Sequence, residues 1–317
     1  MASLNSPTLS RRSLLGVAAG IFGLSRLTEE TTRGAESGGD GAFNFAFLTD
    51  IHVTEKLRAA EGLRACINSV NALGAETAFV VTGGDHIMDG LAVDAAEVRA
   101  QWALYDECMK ELRLPVHHTI GNHDIGGWAP KGTIQTTEPE FGKALFAQKY
   151  GLGRTYRSFD HNGWHFILLD SIQFDELNKE YYGWIDDAQL AWLAADLKQV
   201  GQTKPVIVVT HIPFFSVWSQ LNGDPRKGEG PKSLVNNAAA VRKVLGEYNV
   251  KLVLSGHGHV YERIELAHYN RTTYIQGGAV CGLWWRGKVM GNPEGYGVVS
   301  CKQDGTFEYE YRGYGWV

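Results

Sequence analysis

Residues 43–52 read Phe-Asn-Phe-Ala-Phe-Leu-Thr-Asp-Ile-His, an apolar run that ends in two polar side chains, Asp50 and His52. Aromatic and aliphatic residues at this density predict a buried β-strand over residues 43–48. Residues two apart at a strand end project to the same side, so we expect Asp50 and His52 to reach one metal ion. The run therefore predicts a buried strand with a pair of ligands at its carboxyl end.

The same arrangement of an apolar run followed by a polar block recurs four more times. The predicted strands cover residues 78–81, 116–120, 206–210 and 251–255, and the blocks after them are Gly83-Gly84-Asp85, Gly121-Asn122-His123-Asp124, His211 and Gly256-His257-Gly258-His259. Helical spacing of apolar residues predicts helices over residues 57–73, 92–113, 187–199 and 235–248. Strands that alternate with helices indicate parallel strands covered by helices, and ligands bind at the carboxyl ends of such strands. We therefore expect the five polar blocks to meet.

Two further segments predict strands outside this alternation. Asn162-Gly163 lies between apolar runs in residues 155–170, which is a strong hairpin signal. Residues 260–312 contain strand-like segments divided by glycine and asparagine. The sequence contains no internal repeat. We predict that residues 42–317 form a single domain with a β-rich tail.

Seven side chains in the polar blocks are candidate metal ligands: Asp50, His52, Asp85, Asn122, His211, His257 and His259. This number of ligands is enough for two adjacent metal ions, and a carboxylate has two oxygens with which to bridge them. Mixed imidazole and oxygen ligands favour the transition metals Mn, Fe or Zn. The alternative is that these are scattered polar loop residues.

The five blocks together resemble the signature of the calcineurin-like metallophosphoesterases, over about residues 42–265. The resemblance implies an α/β protein with a four-layer αββα sandwich of two mixed sheets flanked by helices. By resemblance, Asp50, His52, Asp85 and His259 hold one ion, and Asp85, Asn122, His211 and His257 hold the other, with Asp85 bridging. It also implies a dinuclear phosphoric ester hydrolase.

A mechanism follows from two adjacent cations. They lower the pKa of a bridging water, and the resulting hydroxide attacks phosphorus in line with the leaving group. His123 is a histidine beside ligand Asn122 that is not itself expected to be a ligand, so we predict that it assists the leaving group. Asp124 is expected to accept a hydrogen bond from His123 and to orient it, with helix capping as the alternative.

The substrate is less well defined than the reaction. Purple acid phosphatases place a tyrosine three residues after the bridging aspartate, where this chain has Met88, and their first block is Asp-x-Gly rather than Asp-x-His. The pattern is more similar to the class III cyclic-nucleotide and glycerophosphodiester phosphodiesterases. Alternatives are a phosphomonoesterase acting on proteins or sugars, and an exported metal-binding protein without turnover. A metallo-β-lactamase would need a His-x-His-x-Asp-His block, which the sequence lacks.

Several aromatic residues are candidates for substrate contact. His86 follows the bridging aspartate, and Trp128 follows the Gly-Asn-His-Asp block, where it could stack on a base or an aryl group. Trp284 and Trp285 in the tail either line the site or pack the tail onto the sandwich. For His86 the alternative is a solvated loop residue.

The amino-terminal segment has a different character. Arg11 and Arg12 directly precede an apolar stretch, residues 14–24, that is too short to span a bilayer. This predicts a twin-arginine export signal over residues 1–35, a linker over residues 36–41 and a periplasmic or other extracytoplasmic location without a stable transmembrane anchor. A tail with a chance arginine pair is the alternative.

Composition limits the partners. The 317 residues carry a formal net charge of −5, with no long basic run, which disfavours duplex nucleic acid as a partner. We expect a small phosphorylated substrate, and the sequence does not predict an oligomeric state. None of the four cysteines forms a Cys-x-x-Cys pair, and buried free thiols are favoured over a Cys281–Cys301 disulfide.

Overall fold

A computed structural model describes residues 41–222, 230–267 and 271–316. The predicted export signal and nearly all of the predicted linker lie outside the described residues. In chain order the strands are β1 (Phe43–Leu48), β2 (Thr77–Thr82), β3 (Val116–His118), β4 (Arg157–His161), β5 (Trp164–Leu168), β6 (Ile172–Asp175), β7 (Glu180–Gly183), β8 (Val206–Val209), β9 (Val250–Ser255), β10 (Tyr261–Glu265), β11 (Thr273–Gly277), β12 (Gly295–Cys301) and β13 (Phe307–Gly313). The helices are α1 (Ala59–Asn71), α2 (Ala95–Met109), α3 (Ala144–Lys149), α4 (Asp187–Val200), α5 (Trp218–Asn222) and α6 (Ala238–Leu245), and Asn122–Asp124 form a 3₁₀ turn.

Two mixed sheets form the centre of the fold. The first has the strand order β13-β12-β1-β2-β3, in which β1, β2 and β3 are parallel and β12 and β13 are antiparallel. The second has the order β10-β11-β9-β8-β5-β4, with four parallel central strands and antiparallel edges. Strands β6 and β7 form a separate hairpin. The mixed two-sheet sandwich with flanking helices confirms the fold predicted from the sequence.

Strand β1 shows why an apolar run without polar alternation forms a strand here. Phe43, Phe45 and Phe47 lie in the core between the two sheets, whereas Ala46 and Leu48 lie in the core under the helices. Both faces of the strand are buried, so both faces are apolar. The carboxyl end of β1 is thereby fixed in the interior, directly before Asp50.

Local signals set several boundaries. Asp94 caps α2 by accepting a hydrogen bond from the Glu97 amide at 2.9 Å, so this helix begins later than predicted. Asn162 and Gly163 join β4 to β5 with φ angles of 42° and 79°, as a two-residue hairpin of the predicted kind requires. The β6–β7 hairpin and the short helices α3 and α5 are not predicted from the sequence, because these elements are too short to show a sustained period.

The four cysteines are all buried with free thiols. Cys301 packs in the core between the sheets, and Cys281 lies in the loop that follows β11. Among the described residues, no helix combines the length and apolar composition needed to cross a bilayer.

Candidate metal centre

Six of the seven predicted ligands lie in the loops after β1, β2, β8 and β9, which backbone hydrogen bonds join in pairs, and Asn122 follows β3. The Asp50 amide donates to the Gly84 carbonyl at 3.1 Å, and the Gly256 amide donates to the His211 carbonyl at 3.0 Å. Each of these loops follows the carboxyl end of a central strand. One edge of the sandwich therefore collects ligands from five distant parts of the chain.

One group of ligand atoms surrounds His52. Its Nε2 lies 3.1 Å from His259 Nε2 and 3.4 Å from Asp85 Oδ2. His259 Nε2 is in turn 3.4 Å from Asp50 Oδ1. Two imidazole nitrogens and two carboxylate oxygens thus converge, and this is the set predicted for one ion.

A second group surrounds His211. Its Nε2 lies 3.1 Å from Asp85 Oδ2 and 3.0 Å from Asn122 Oδ1. A nitrogen of His257 lies within 4.8 Å of the candidate ligand atoms of Asp85 and His211. The same oxygen of Asp85 therefore lies within 3.4 Å of a histidine from each group, which is the position that a bridging ligand needs.

The ligand backbones explain how the side chains converge. Five of the seven ligands have a left-handed backbone, with φ between 48° and 73°: Asp50, His52, Asp85, His257 and His259. This conformation is uncommon outside glycine and costs of order 1–3 kcal/mol per residue. The i, i+2 pairs thus converge through tight turns beyond the strands, and not through the strand alternation used to predict them.

Two glycines allow these turns to approach one another. A Cβ on Gly84 would lie 2.7 Å from Gly121 Cα, and a Cβ on Gly121 would lie 2.1 Å from the Asp85 amide nitrogen. Gly84 also has a φ of 94°. The loops that carry Asp85 and Asn122 can therefore approach this closely only with glycine at both positions.

Hydrogen bonds orient the imidazoles. The Nδ1 atoms of His211 and His259 donate to the carbonyls of Gly83 and Gly282, at 2.7 and 2.8 Å. In the neutral ring this leaves the lone pair on Nε2, which faces the carboxylates, and it is the arrangement typical of metal-binding histidines. The donor set and its orientation therefore fit two transition-metal ions.

The protonation states of the histidines at this site depend on their burial and on the neighbouring carboxylates. Burial alone would lower the pKa of His211, but Asp85, Asp50 and the Gly83 carbonyl together outweigh burial and raise that pKa to about 9. Burial lowers the pKa of His52 and that of His257 to about 4, so both rings are neutral at pH 7. Neutral imidazole is the form that binds metals, and the His211 proton supplies positive charge that a bound cation would supply instead.

His123 lies beside both groups. One of its ring nitrogens is within 4.8 Å of the candidate ligand atoms of His52 and Asp85. Its Nδ1 donates to the Met88 carbonyl at 2.7 Å, and its backbone amide donates to Asp85 Oδ1 at 2.8 Å. Because Nδ1 is engaged by a carbonyl, Nε2 is the nitrogen left for substrate.

The expected hydrogen bond from His123 to Asp124 is not formed, and that prediction is wrong. Asp124 accepts from the His86 amide and from His86 Nδ1, both at 2.8 Å, and from the Asp85 amide at 3.1 Å. It also accepts from the Gly121 amide at 2.8 Å, at the start of the 3₁₀ turn. Asp124 therefore holds the loop of the bridging aspartate, in a role closer to the capping alternative.

The two weak candidates for substrate contact lie elsewhere. His86 is fully buried, and its Nε2 is bonded to Thr82 Oγ1 at 2.7 Å, so it is a core residue rather than a substrate contact. Trp128 stacks on Phe174 with ring centroids 4.8 Å apart, and Lys143 Nζ lies over its ring. A substrate ring would have to compete with these contacts.

The two tail tryptophans, Trp284 and Trp285, have different surroundings in the structure. The ring of Trp284 is half-buried, with its centroid 4.1 Å from that of His52, 4.9 Å from His259 and 5.3 Å from His123. Trp285 is only 5% exposed, and its Nε1 donates to the His52 carbonyl at 2.9 Å. Trp284 is therefore part of the site, and Trp285 is core that supports it.

Cys281 also lies near the site, where its sulfur forms a further group of candidate ligand atoms with His52 and His259. Its sulfur is 3.7 Å from Nδ1 of His259, the nitrogen remote from Asp50. Burial and the charge of Asp50 raise the pKa of this thiol well above its usual range. Metals bind the thiolate, which this environment disfavours.

The family model for the calcineurin-like phosphoesterases matches residues 43–261. Among curated proteins, a 3′,5′-cyclic-nucleotide phosphodiesterase from Nostoc sp. is 24% identical over 224 residues, 68% of this chain and 71% of the relative. A probable cyclic nucleotide phosphodiesterase from Coxiella burnetii is 26% identical over 245 residues, 76% of this chain and 85% of the relative.

Purple acid phosphatases are also distant relatives. Purple acid phosphatase 21 of Arabidopsis thaliana is 29% identical over 150 residues, which cover 46% of this chain but only 30% of that phosphatase. Among solved structures, a dimetal phosphatase from Danio rerio superposes with a TM-score of 0.62 at 16% identity, covering 86% of this chain and 97% of that one. The family match spans β1 to β9 and all seven candidate ligands, and the chain belongs to the calcineurin-like phosphoesterases, a family of phosphoester hydrolases.

Proposed function

We propose that this protein is a dinuclear metal-dependent phosphodiesterase that cleaves small phosphodiesters of the cyclic-nucleotide or glycerophosphodiester kind. The observation that carries the two-metal part is the position of Asp85 Oδ2, within 3.4 Å of His52 Nε2 and of His211 Nε2. Two relatives of which the chain covers more than two thirds are a cyclic-nucleotide phosphodiesterase and a probable cyclic nucleotide phosphodiesterase, and they support the diester part.

The residues of the site would have different roles in the reaction. Two bound metal ions would supply Lewis acidity toward the phosphoryl oxygens and an activated water. Asp85 would be the shared ligand. The hydrogen bonds to backbone carbonyls direct Nε2 of His211 toward Asp85 and Nε2 of His259 toward Asp50. With its Nδ1–H held by the Met88 carbonyl, the doubly protonated ring of His123 would donate the Nε2 proton to the oxygen of the leaving alkoxide, which departs as the alcohol.

A paired assay tests the proposal. The full chain, loaded with Mn, is given bis(4-nitrophenyl) phosphate and 4-nitrophenyl phosphate under the same conditions. We expect the diester to be cleaved with the higher kcat/KM. Preference for the monoester would support the alternative below, and metal binding without cleavage of either ester would support a non-catalytic exported metal-binding protein.

The second candidate function is a phosphomonoesterase acting on a protein or a sugar phosphate. It is favoured by the similarity to purple acid phosphatases and by the fold shared with a dimetal phosphatase. Met88 occupies the position of the tyrosine that the purple enzymes use, and its carbonyl orients His123. This difference disfavours a ferric-tyrosinate site in the present chain.

We also propose that the protein is exported by the twin-arginine route, on the basis of Arg11, Arg12 and the apolar stretch after them. That route carries folded proteins, so Fe or Mn could be loaded in the cytoplasm before export. Elemental analysis of protein purified from its native compartment tests this. Manganese or iron is the expected result, and a zinc-only centre would count against it.

A further inference from the structure

A pocket of about 200 Å³ opens beside the second group of ligands. Its lining includes Ser216, Trp218, Ser233, His257, Gly258 and Gln276. His257 belongs to the candidate metal centre, so the pocket adjoins the position proposed for the phosphate of a bound ester. The proposed function assigns no role to this pocket.

Gln276 lines the pocket and carries a buried acceptor. The residue is 4% exposed, and its Oε1 has no hydrogen-bond partner among the described residues. An ideal Cβ on Gly258 would lie 2.3 Å from this oxygen, which places Oε1 against the backbone between His257 and His259. A buried acceptor without a partner is costly, and a ligand that donates to it removes that cost.

The orientation of this amide is fixed by its neighbour. Gln276 Nε2 donates to Glu262 Oε2 at 2.6 Å, and a carboxylate can only accept, so Oε1 must be the atom on the opposite side. Glu262 Oε1 also accepts from the Val217 amide at 2.7 Å, which ties the loop before α5 to the same carboxylate. Glu262 therefore builds the pocket and aims its acceptor.

The other lining groups indicate what kind of molecule would fit. Ser216 and Ser233 contribute hydroxyls, and Trp218 contributes an aromatic surface. A pocket with a few placed polar groups and an aromatic wall suits a ligand with both hydroxyls and carbon surface. A simple alkyl alcohol would leave Gln276 Oε1 unsatisfied, whereas an alcohol with a second hydroxyl would not.

We infer that this pocket binds the polyol part of the substrate, a glycerol or ribose unit, with a hydroxyl donating to Gln276 Oε1. The inference rests on the proposed function, because it places the phosphate at the metal centre. It adds to that function a specific binding site for the hydroxyls of the substrate's alcohol.

Binding of two phosphonates to the metal-loaded full chain tests this without turnover. 3,4-Dihydroxybutylphosphonate and butylphosphonate resist hydrolysis and differ only in the hydroxyl pair. Titration calorimetry should show the dihydroxy compound binding about five- to ten-fold more tightly, the worth of one or two neutral hydrogen bonds. The variant Gln276→Met, which keeps the side-chain length but lacks the acceptor, should bind both compounds alike.

Gln135→Met is the matched control, since Gln135 is an exposed loop residue, and it should keep the wild-type preference. Equal binding of the two phosphonates by the wild type would overturn the pocket assignment alone, as would a preference that persists in Gln276→Met. Failure of both phosphonates to bind would overturn the phosphate site at the metal centre and the pocket with it.

Discussion

His123 and Asp124 are neighbours in the chain but face different parts of the molecule. His123 is beside the ligand groups, with Nδ1 on the Met88 carbonyl, and Asp124 is turned toward His86 and the backbone of Asp85. Their adjacency in the sequence predicts a relay between the two, whereas in the structure His123 lies at the candidate ligands and Asp124 holds the loop of Asp85. Separate substitutions should therefore give separate effects.

Replacing His123 by alanine should lower kcat about 10²–10³-fold while both metal ions are retained, because a positioned acid contributes in this range. The loss should be larger for an ester with an alkyl leaving group than for one with 4-nitrophenolate, which leaves without a proton. Turnover of both esters, with elemental analysis of the same samples, checks this. Unchanged turnover would rule out the role.

Replacing Asp124 by alanine should destabilise the fold by about 3 kcal/mol, because several buried donors lose their acceptor together. The affected donors are the amides of Asp85, His86 and Gly121 and the His86 ring. Urea unfolding measures the change. A variant with wild-type stability and the kinetic defect of His123→Ala would instead support the original relay.

At the scale of elements, the loop after β11 is packed against α1. A Cβ on Gly62 would lie 2.2 Å from Trp285 Cζ3, inside the ring's own space. Trp285 in turn donates to the His52 carbonyl. A glycine in the middle of a helix, otherwise unfavourable, is here the residue that lets the supporting tryptophan reach the metal ligands.

We expect Gly62→Ala to cost about 1–3 kcal/mol of unfolding free energy through this overlap and to weaken metal binding. The same substitution in a Trp285→Leu background should cost much less, because the ring is absent. Urea unfolding of the four proteins gives the coupling between the two positions. Equal costs in both backgrounds would show that the contact is not responsible.

A second link joins β5 to its neighbours. His165 Nδ1 is 2.7 Å from Asp160 Oδ1 on β4, and Nε2 is 2.8 Å from Asp196 Oδ2 on α4. Burial alone would lower the pKa of His165, but the two carboxylates outweigh burial and raise it. A raised folded pKa stabilises the fold below the unfolded value of about 6.5 and ceases to do so as pH rises through the folded value.

The stability difference between the wild type and His165→Gln should therefore be largest near pH 6, at about 2 kcal/mol, and should shrink above it. Comparing the two proteins isolates this histidine from others, such as His117, whose pKa burial lowers to about 3. Urea unfolding at several pH values measures the difference. A difference that grows with pH would contradict the account.

At the scale of the whole molecule, the strands and ligand blocks could be predicted because their signals are local. The run before Asp50 is apolar on both faces, and the five blocks each follow such a run. His86 and His123 show the limit of prediction from the sequence, since each directly follows a candidate metal ligand in the chain. Only burial under Trp102, Tyr105 and Phe146 makes His86 a core residue.

Residues that long-range strand pairing brings to the site could not be assigned to it from the sequence alone. Trp284 reaches the metal ligands because the strands on either side of its loop, β11 and β12, belong to different sheets. Gln276 faces its pocket because β11 pairs with β9 beside the Gly-His-Gly-His block. Neither placement follows from residues nearby in the chain.

The central claim is a two-metal centre in which Asp85 is shared between both ions. Elemental analysis with turnover measured on the same samples tests it most directly, using the wild type, Asp85→Asn and the exposed control Asp187→Asn. We predict two ions per chain and full turnover in the wild type and the control, and loss of bound metal together with turnover in Asp85→Asn. An Asp85→Asn protein that keeps two ions per chain would contradict the account.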